Sequence, residues 1–217
     1  MKGLLIKDFH LLSLQKFFFL LLIPISAGII FTTDNPLFPI GFLTFITSIL
    51  TLSTINYDEF DNGNAFLFSL PVSRKDYVLE KYLFGILLAC SGLALAVLLS
   101  LAASAMMGGV PYTEILVNAA VIFPLTLFIL ALTLPFQLKF GGEKGRVALI
   151  CVMGCSGLFI AGLVKLSEKI GIDLDAVLEN LSSMNVGMIV FLTIAVSILL
   201  LLISVTISIR IINKKEF

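Results

Sequence analysis

Few residues in this chain are equipped for chemistry, and their spacing excludes most of it. His10 is the only histidine, and the cysteines are Cys90, Cys151 and Cys155. A metal-dependent or serine-type intramembrane hydrolase needs histidines or carboxylates converging inside the bilayer. Here His10 lies in a leading polar segment, and all three cysteines fall in apolar runs, where they read as small packing residues rather than ligands or disulfide partners. The run Gly141-Gly142-Glu143-Lys144-Gly145-Arg146 is glycine-rich with a lysine. It lacks the G-x-x-x-x-G-K-[ST] spacing and the hydroxyl that meets magnesium in a phosphate-binding loop. It reads as a tight turn. No catalytic residue, metal site or cofactor is expected on this chain, and any ATP must be hydrolysed by a partner.

The elements around these residues are set by composition. Of 217 residues, 59% are hydrophobic and 13% charged, with 14 basic and 14 acidic side chains. Mean hydropathy is +1.12. Soluble domains are nearer one quarter charged, so a water-soluble or disordered chain is excluded, and a balanced charge gives no general attraction to nucleic acid. Six stretches carry no charge at all: 17–33, 35–57, 82–113, 115–138, 147–164 and 180–209. A membrane helix needs roughly 17–25 apolar residues. The expected fold is therefore an all-α integral membrane protein, one domain over 1–217, with six spans near 17–33, 36–57, 82–107, 115–136, 147–164 and 186–209. Lysine and arginine crowd into alternate connections, 12 against 2. The positive-inside rule then puts both termini and the second and fourth loops in the cytoplasm.

Pro24 and Pro124 fall in mid-span. Each removes a backbone donor, which allows either a tolerated bend or a hinge. Ser100, Ser104 and Gly108 form a small-residue row, as do Gly157 and Ala161. Such rows let helices approach closely, within a subunit or between two. No charge lies within any span, which argues against an ion-coupled transporter or an acid-lined channel. Outside, Leu174, Val177, Leu178 and Leu181 alternate with acids as an amphipathic helix would. It lies in the headgroups or serves as a lid.

The segment 58–81 is the informative loop. Asp58, Glu59 and Asp61 with Asn62 lead into Phe60, Phe66, Phe68 and Leu70, and Pro71 stops the run. Phe66 and Leu70 share a face if the segment is a short helix. Aromatics in a water-facing loop need cover. They dip into lipid, pack on neighbouring spans, or dock a cytoplasmic partner. Ser73 with Asp76 makes a capping-box-like start. The spacing predicts a helix from Arg74 to about Met107, about 51 Å long and longer than the bilayer core.

The acidic cluster, Leu70-Pro71-Val72-Ser73-Arg74-Lys75-Asp76-Tyr77-Val78, Lys81-Tyr82 and the opening Met1-Lys2-Gly3-Leu4-Leu5-Ile6-Lys7-Asp8 together resemble the permease subunits of ABC exporters of the type-2 branch. The small compact form is similar to permeases that export amphipathic peptides, among them phenol-soluble-modulin and antimicrobial-peptide immunity exporters. The resemblance implies a coupling helix within 58–73 that docks on a separate cytoplasmic ABC ATPase, which holds ATP and magnesium. It also implies a second permease subunit in a homodimer, amphipathic peptide cargo and a bacterial plasma-membrane location. The expected coupling contacts are Asp58, Glu59, Phe60, Asp61, Asn62, Phe66, Phe68, Leu70, Arg74 and Lys75, the acids and bases setting charge complementarity with the partner. The competing readings are a membrane immunity or assembly protein that moves nothing, and a channel that needs no ATP.

Overall fold

The longest uninterrupted element starts where its cap dictates. In the computed structural model, which describes residues 2–33, 35–60, 63–107, 110–170 and 186–215 (essentially backbone alone from 142 to 170), Ser73 Oγ accepts the Asp76 N–H at 3.0 Å. This satisfies one of the donors that a helix start leaves open. The helix then runs Arg74–Met107 without a break.

The described residues are helix and turn throughout. In chain order the helices are α1 (Lys2–Leu14), α2 (Lys16–Thr33), α3 (Phe38–Glu59), α4 (Gly63–Ser69), α5 (Arg74–Met107), α6 (Tyr112–Ile170) and α7 (Val186–Lys214). Among the described residues, five stretches are long and apolar enough to cross a bilayer: α2, α3, α5, Tyr112–Gly141 of α6, and Gly187–Lys214 of α7. The expected span 147–164 falls on the helical backbone of α6 beyond Gly141. The expected outer helix at 173–181 lies outside the described residues, as do Gly108, Asp61 and Asn62.

Gly141 interrupts α6 with φ 78° and ψ −175°, a region open to glycine and closed to other residues. The tight turn expected over Gly141–Arg146 is confined to its first glycine, and 142–146 are helical. Pro24 stands inside α2 and Pro124 inside α6. Pro135, which the sequence reading passed over, also stands inside α6.

The centre of the bundle is the seam between α3 and α5. Thr44, Thr47, Ser48, Thr51 and Thr54 recur at helical spacing on α3 and are all buried. In an apolar setting a hydroxyl needs a local acceptor. Thr44 Oγ1 donates to Ile40 O at 2.6 Å, and Thr47 Oγ1 to Leu43 O at 2.8 Å. Facing them, Gly85, Ala89, Gly92, Ala96 and Ser100 form the small, buried stripe of α5. A Cβ on Gly92 would lie 1.9 Å from Thr47 Oγ1 and 3.0 Å from Leu43 O. Ser100 and Ser104 are therefore packed inside one subunit, and Ser104 Oγ closes the turn to α6 by donating to Val110 O at 2.6 Å. Cys90 departs from the packing reading: it is exposed on the outer surface of α5, because that helix turns its small stripe, not its cysteine, toward the core.

A hydroxyl chain staples α5, α6 and α7 together. Ser204 Oγ donates its one proton to Ala131 O. It must then accept from Tyr82 Oη at 2.5 Å, which leaves Ser208 to donate to Tyr82 Oη at 2.8 Å.

Candidate functional site

The short helix α4 presents two opposed faces. Asn64 and Leu67 are buried, and Leu67 joins the main core cluster. Phe66 is 70% exposed, with Leu70 also exposed just beyond the helix end, and Phe60, the residue that ends α3, is 72% exposed. An exposed phenylalanine on a helix whose other face is anchored, with a second exposed phenylalanine at the end of the preceding helix, is an apolar surface larger than the scattered apolar residues of an ordinary exterior. Gly63 permits the tight entry from α3, since a Cβ there would come within 2.7 Å of Asp58 O.

Phe68 differs from its expected role. It is half-buried against the core, stands edge-on to Tyr77 at 5.5 Å between ring centroids, and carries the Arg74 guanidinium over its ring at 5.8 Å. Its part is to seat α4 on α5.

The charged residues expected to face a partner turn inward instead. Arg74 Nη1 donates to Ile212 O and Asn213 O, both at 2.9 Å, and so caps the open carbonyls at the end of α7. Glu59 Oε1 accepts from Lys215 Nζ at 2.8 Å, and the same ammonium donates to Leu138 O at 3.2 Å. Asp58 is buried and paired with Lys7 and Lys81. The expectation of Asp58 as an outward-facing charge is thus corrected: next to an apolar core its carboxylate is solvated by two ammonium groups of its own chain. Among the described members of this charged set, Lys75 alone is exposed.

Asp58 belongs to a cluster that the sequence reading missed. Lys81 Nζ lies 2.5 Å from Asp8 Oδ2, 2.7 Å from Asp58 Oδ2 and 3.1 Å from Thr54 Oγ1. Lys7 bridges the same two carboxylates, 3.0 Å from Asp8 and in direct contact with Asp58. Tyr77 Oη donates to Asp58 Oδ2 at 3.2 Å. The side chains of Asp8 and Lys81 have no solvent-accessible surface. Burial alone would raise the Asp8 carboxyl, but Lys81 and Lys7 outweigh it and hold the group below its ordinary value. Two ammoniums and two carboxylates thus balance where α1, α3 and α5 meet. Glu80, next in line, is buried with a carboxyl oxygen 3.9 Å from Lys81 Nζ. The signal in the sequence was weak. Lys81 abuts a charge-free run, but its partners lie 73 and 23 positions away, beyond any local spacing rule.

Among the described residues no group of three or more His, Cys, Asp or Glu could hold a metal ion. What the arrangement offers is mechanical: an exposed apolar tip, seated on α5, that follows an α3 end tied by salt links to α1 and α7.

Long apolar helices with buried hydroxyl seams mark a multi-pass membrane protein. The chain belongs to the ABC-2 family transporter proteins, whose match extends over residues 3–213. No curated protein and no solved structure matches it. Membership makes the chain the membrane permease component of an ABC transporter, set in the bilayer, not itself catalytic, and partnered by an ABC ATPase.

Proposed function

We propose that the chain exports apolar or amphipathic cargo, with amphipathic or antimicrobial peptides as the preferred class, and that it does so as a six-span homodimer in a bacterial plasma membrane. The partner ATPase docks on α4 and the segment around it. The single observation that carries this is the exposure of Phe66 on a helix seated from behind by Leu67 and Phe68, with exposed Phe60 at the end of α3 just before it. An apolar knob of this kind fits a cleft on a protein that closes on ATP, and exposed Lys75 adds a positive charge at its edge. Closure pulls α4. Asp58 passes the movement to α1 through Lys7, and Tyr77 and Arg74 pass it to α5 and α7. Pro24 and Pro124 are the positions at which the spans yield.

The test is capture of the tagged chain in mild detergent from its host, with co-purifying proteins identified and ATP hydrolysis assayed. A stoichiometric ATPase is expected, reduced about tenfold or more by Phe66→Ala, the loss typical of a buried aromatic anchor at about 1.4 kcal/mol or more. Full retention of the ATPase by Phe60→Ala/Phe66→Ala removes α4 as the docking surface. Flux without any ATPase favours a channel, and neither flux nor ATPase favours an immunity protein.

A further inference from the structure

The outer surface between α6 and α7 carries a feature that the docking reading does not use. A groove of about 330 Å³ runs between the two helices, walled by Leu132, Pro135 and Phe136 of α6 and by Ile203, Ile207 and Ile211 of α7. It opens at one end into a second cleft of about 550 Å³, which shares Lys139, Ile207 and Ile211 with it. That cleft is lined by Lys139, Arg210, Lys214 and Lys215, and no carboxylate lines either cavity among the described residues. Lys215 is already held by Glu59. The positive charge open to a ligand therefore comes from Lys139, Arg210 and Lys214, all exposed.

We propose that this continuous groove is a binding site for one anionic phospholipid of the surrounding bilayer, with an acyl chain along the apolar part and the phosphate among the three cations. The charges have another source of support, because bases gather at cytoplasmic ends of spans and near helix C-termini on general grounds. What general grounds do not supply is the convergence of Lys139 from one helix with Arg210 and Lys214 from another over a single apolar channel. Basic pockets between membrane helices are the usual seat of anionic headgroups, each base contributing about 1 kcal/mol of attraction. Away from Lys139 and Ser204 the walls of the first groove are apolar. The groove suits a flexible hydrocarbon chain.

The experiment uses the full chain, purified in mild detergent and exposed to equal amounts of phosphatidylglycerol and phosphatidylcholine. Retained lipid is read by native mass spectrometry. Phosphatidylglycerol should be retained at least tenfold over phosphatidylcholine. Lys139→Gln/Arg210→Gln/Lys214→Gln should abolish the preference, each base accounting for roughly a fivefold factor. Ile207→Trp leaves every cation in place and fills the channel from an exposed position, so it should expel the lipid while the thermal unfolding temperature stays near that of the parent. Lys2→Gln/Lys16→Gln should keep the preference. Equal retention of the two lipids overturns the proposal. So does an unchanged preference in Ile207→Trp, which would mean a headgroup patch without a tail site. Displacement of the lipid by inorganic phosphate, or a second copy of the chain lost on Ile207→Trp, also overturns it. None of these outcomes bears on capture of the ATPase through Phe66.

Discussion

At Lys81 an ammonium sits between two carboxylates with no surface exposed to water, and the energetic balance there is delicate. Taking such ions out of water costs more than a single contact returns, and only near-complete pairing makes the site tolerable. Lys81→Met leaves Asp8 and Asp58 sharing Lys7 alone. It should destabilise the bundle by about 3–5 kcal/mol, as removal of one member of a buried pair does. Lys81→Met combined with Asp8→Asn should recover part of that loss. Thermal unfolding in detergent distinguishes the two, and a single-variant loss below about 1 kcal/mol would show that water reaches the cluster. The same site sets an acid limit. The Asp8 carboxyl is held below its ordinary value of 3.8 in the folded chain, so its contribution is full above that value and is lost as pH falls through the folded one. Stability of the parent should drop with acid below about pH 4, with a shallower drop in Asp8→Asn.

At the scale of elements, α5 was legible in the sequence from end to end. Pro71, the Ser73–Asp76 cap and the long charge-free run are all local signals, and the helix spans Arg74–Met107 as they require. The short helix ahead of it was legible for the same reason, since a proline stop and paired aromatics are local. What could not be read was which way each loop residue points. Phe66 and Phe68 are two positions apart and chemically alike, yet one is exposed and the other packs on Tyr77. Only the path of the chain around Gly63 decides between them. The charged residues were misjudged on similar grounds, because Arg74 meets α7 across 138 positions. The α3–α5 seam was visible in part, as a small-residue row whose partner was unknown. Its tightest point is Gly92, and Gly92→Ala should cost about 1–3 kcal/mol through overpacking against Thr47 and the α3 backbone. Gly92→Ala with Thr47→Ala should restore only part of it, because the hydroxyl clash is removed while Thr47 Cβ at 2.9 Å and Leu43 O at 3.0 Å remain. An additive double variant in thermal unfolding would place the strain elsewhere.

For the whole molecule, the question is how a push on one short helix reaches the spans. The helix α4 is joined to α3 by the chain itself and to α5 by Phe68 on Tyr77, while the end of α3 is tied to α1 by Asp58 with Lys7 and to α7 by Glu59 with Lys215. Arg74 adds a second hold on α7, at Ile212 O and Asn213 O. In the proposed mechanism docking and transmission reside in different side chains, and variants should separate them. Phe66→Ala removes the exposed contact and should lose the ATPase. Arg74→Gln leaves the exposed tip intact but weakens charge-assisted bonds worth about 1.5–3 kcal/mol each to the α7 carbonyls. It should retain the ATPase at full stoichiometry while the cargo-stimulated part of ATP hydrolysis in proteoliposomes falls about tenfold, the change that corresponds to about 1.4 kcal/mol of lost coupling. Loss of ATPase binding in Arg74→Gln would return that residue to the docking face. Unchanged stimulation would mean that movement enters the membrane through α5 without help from α7.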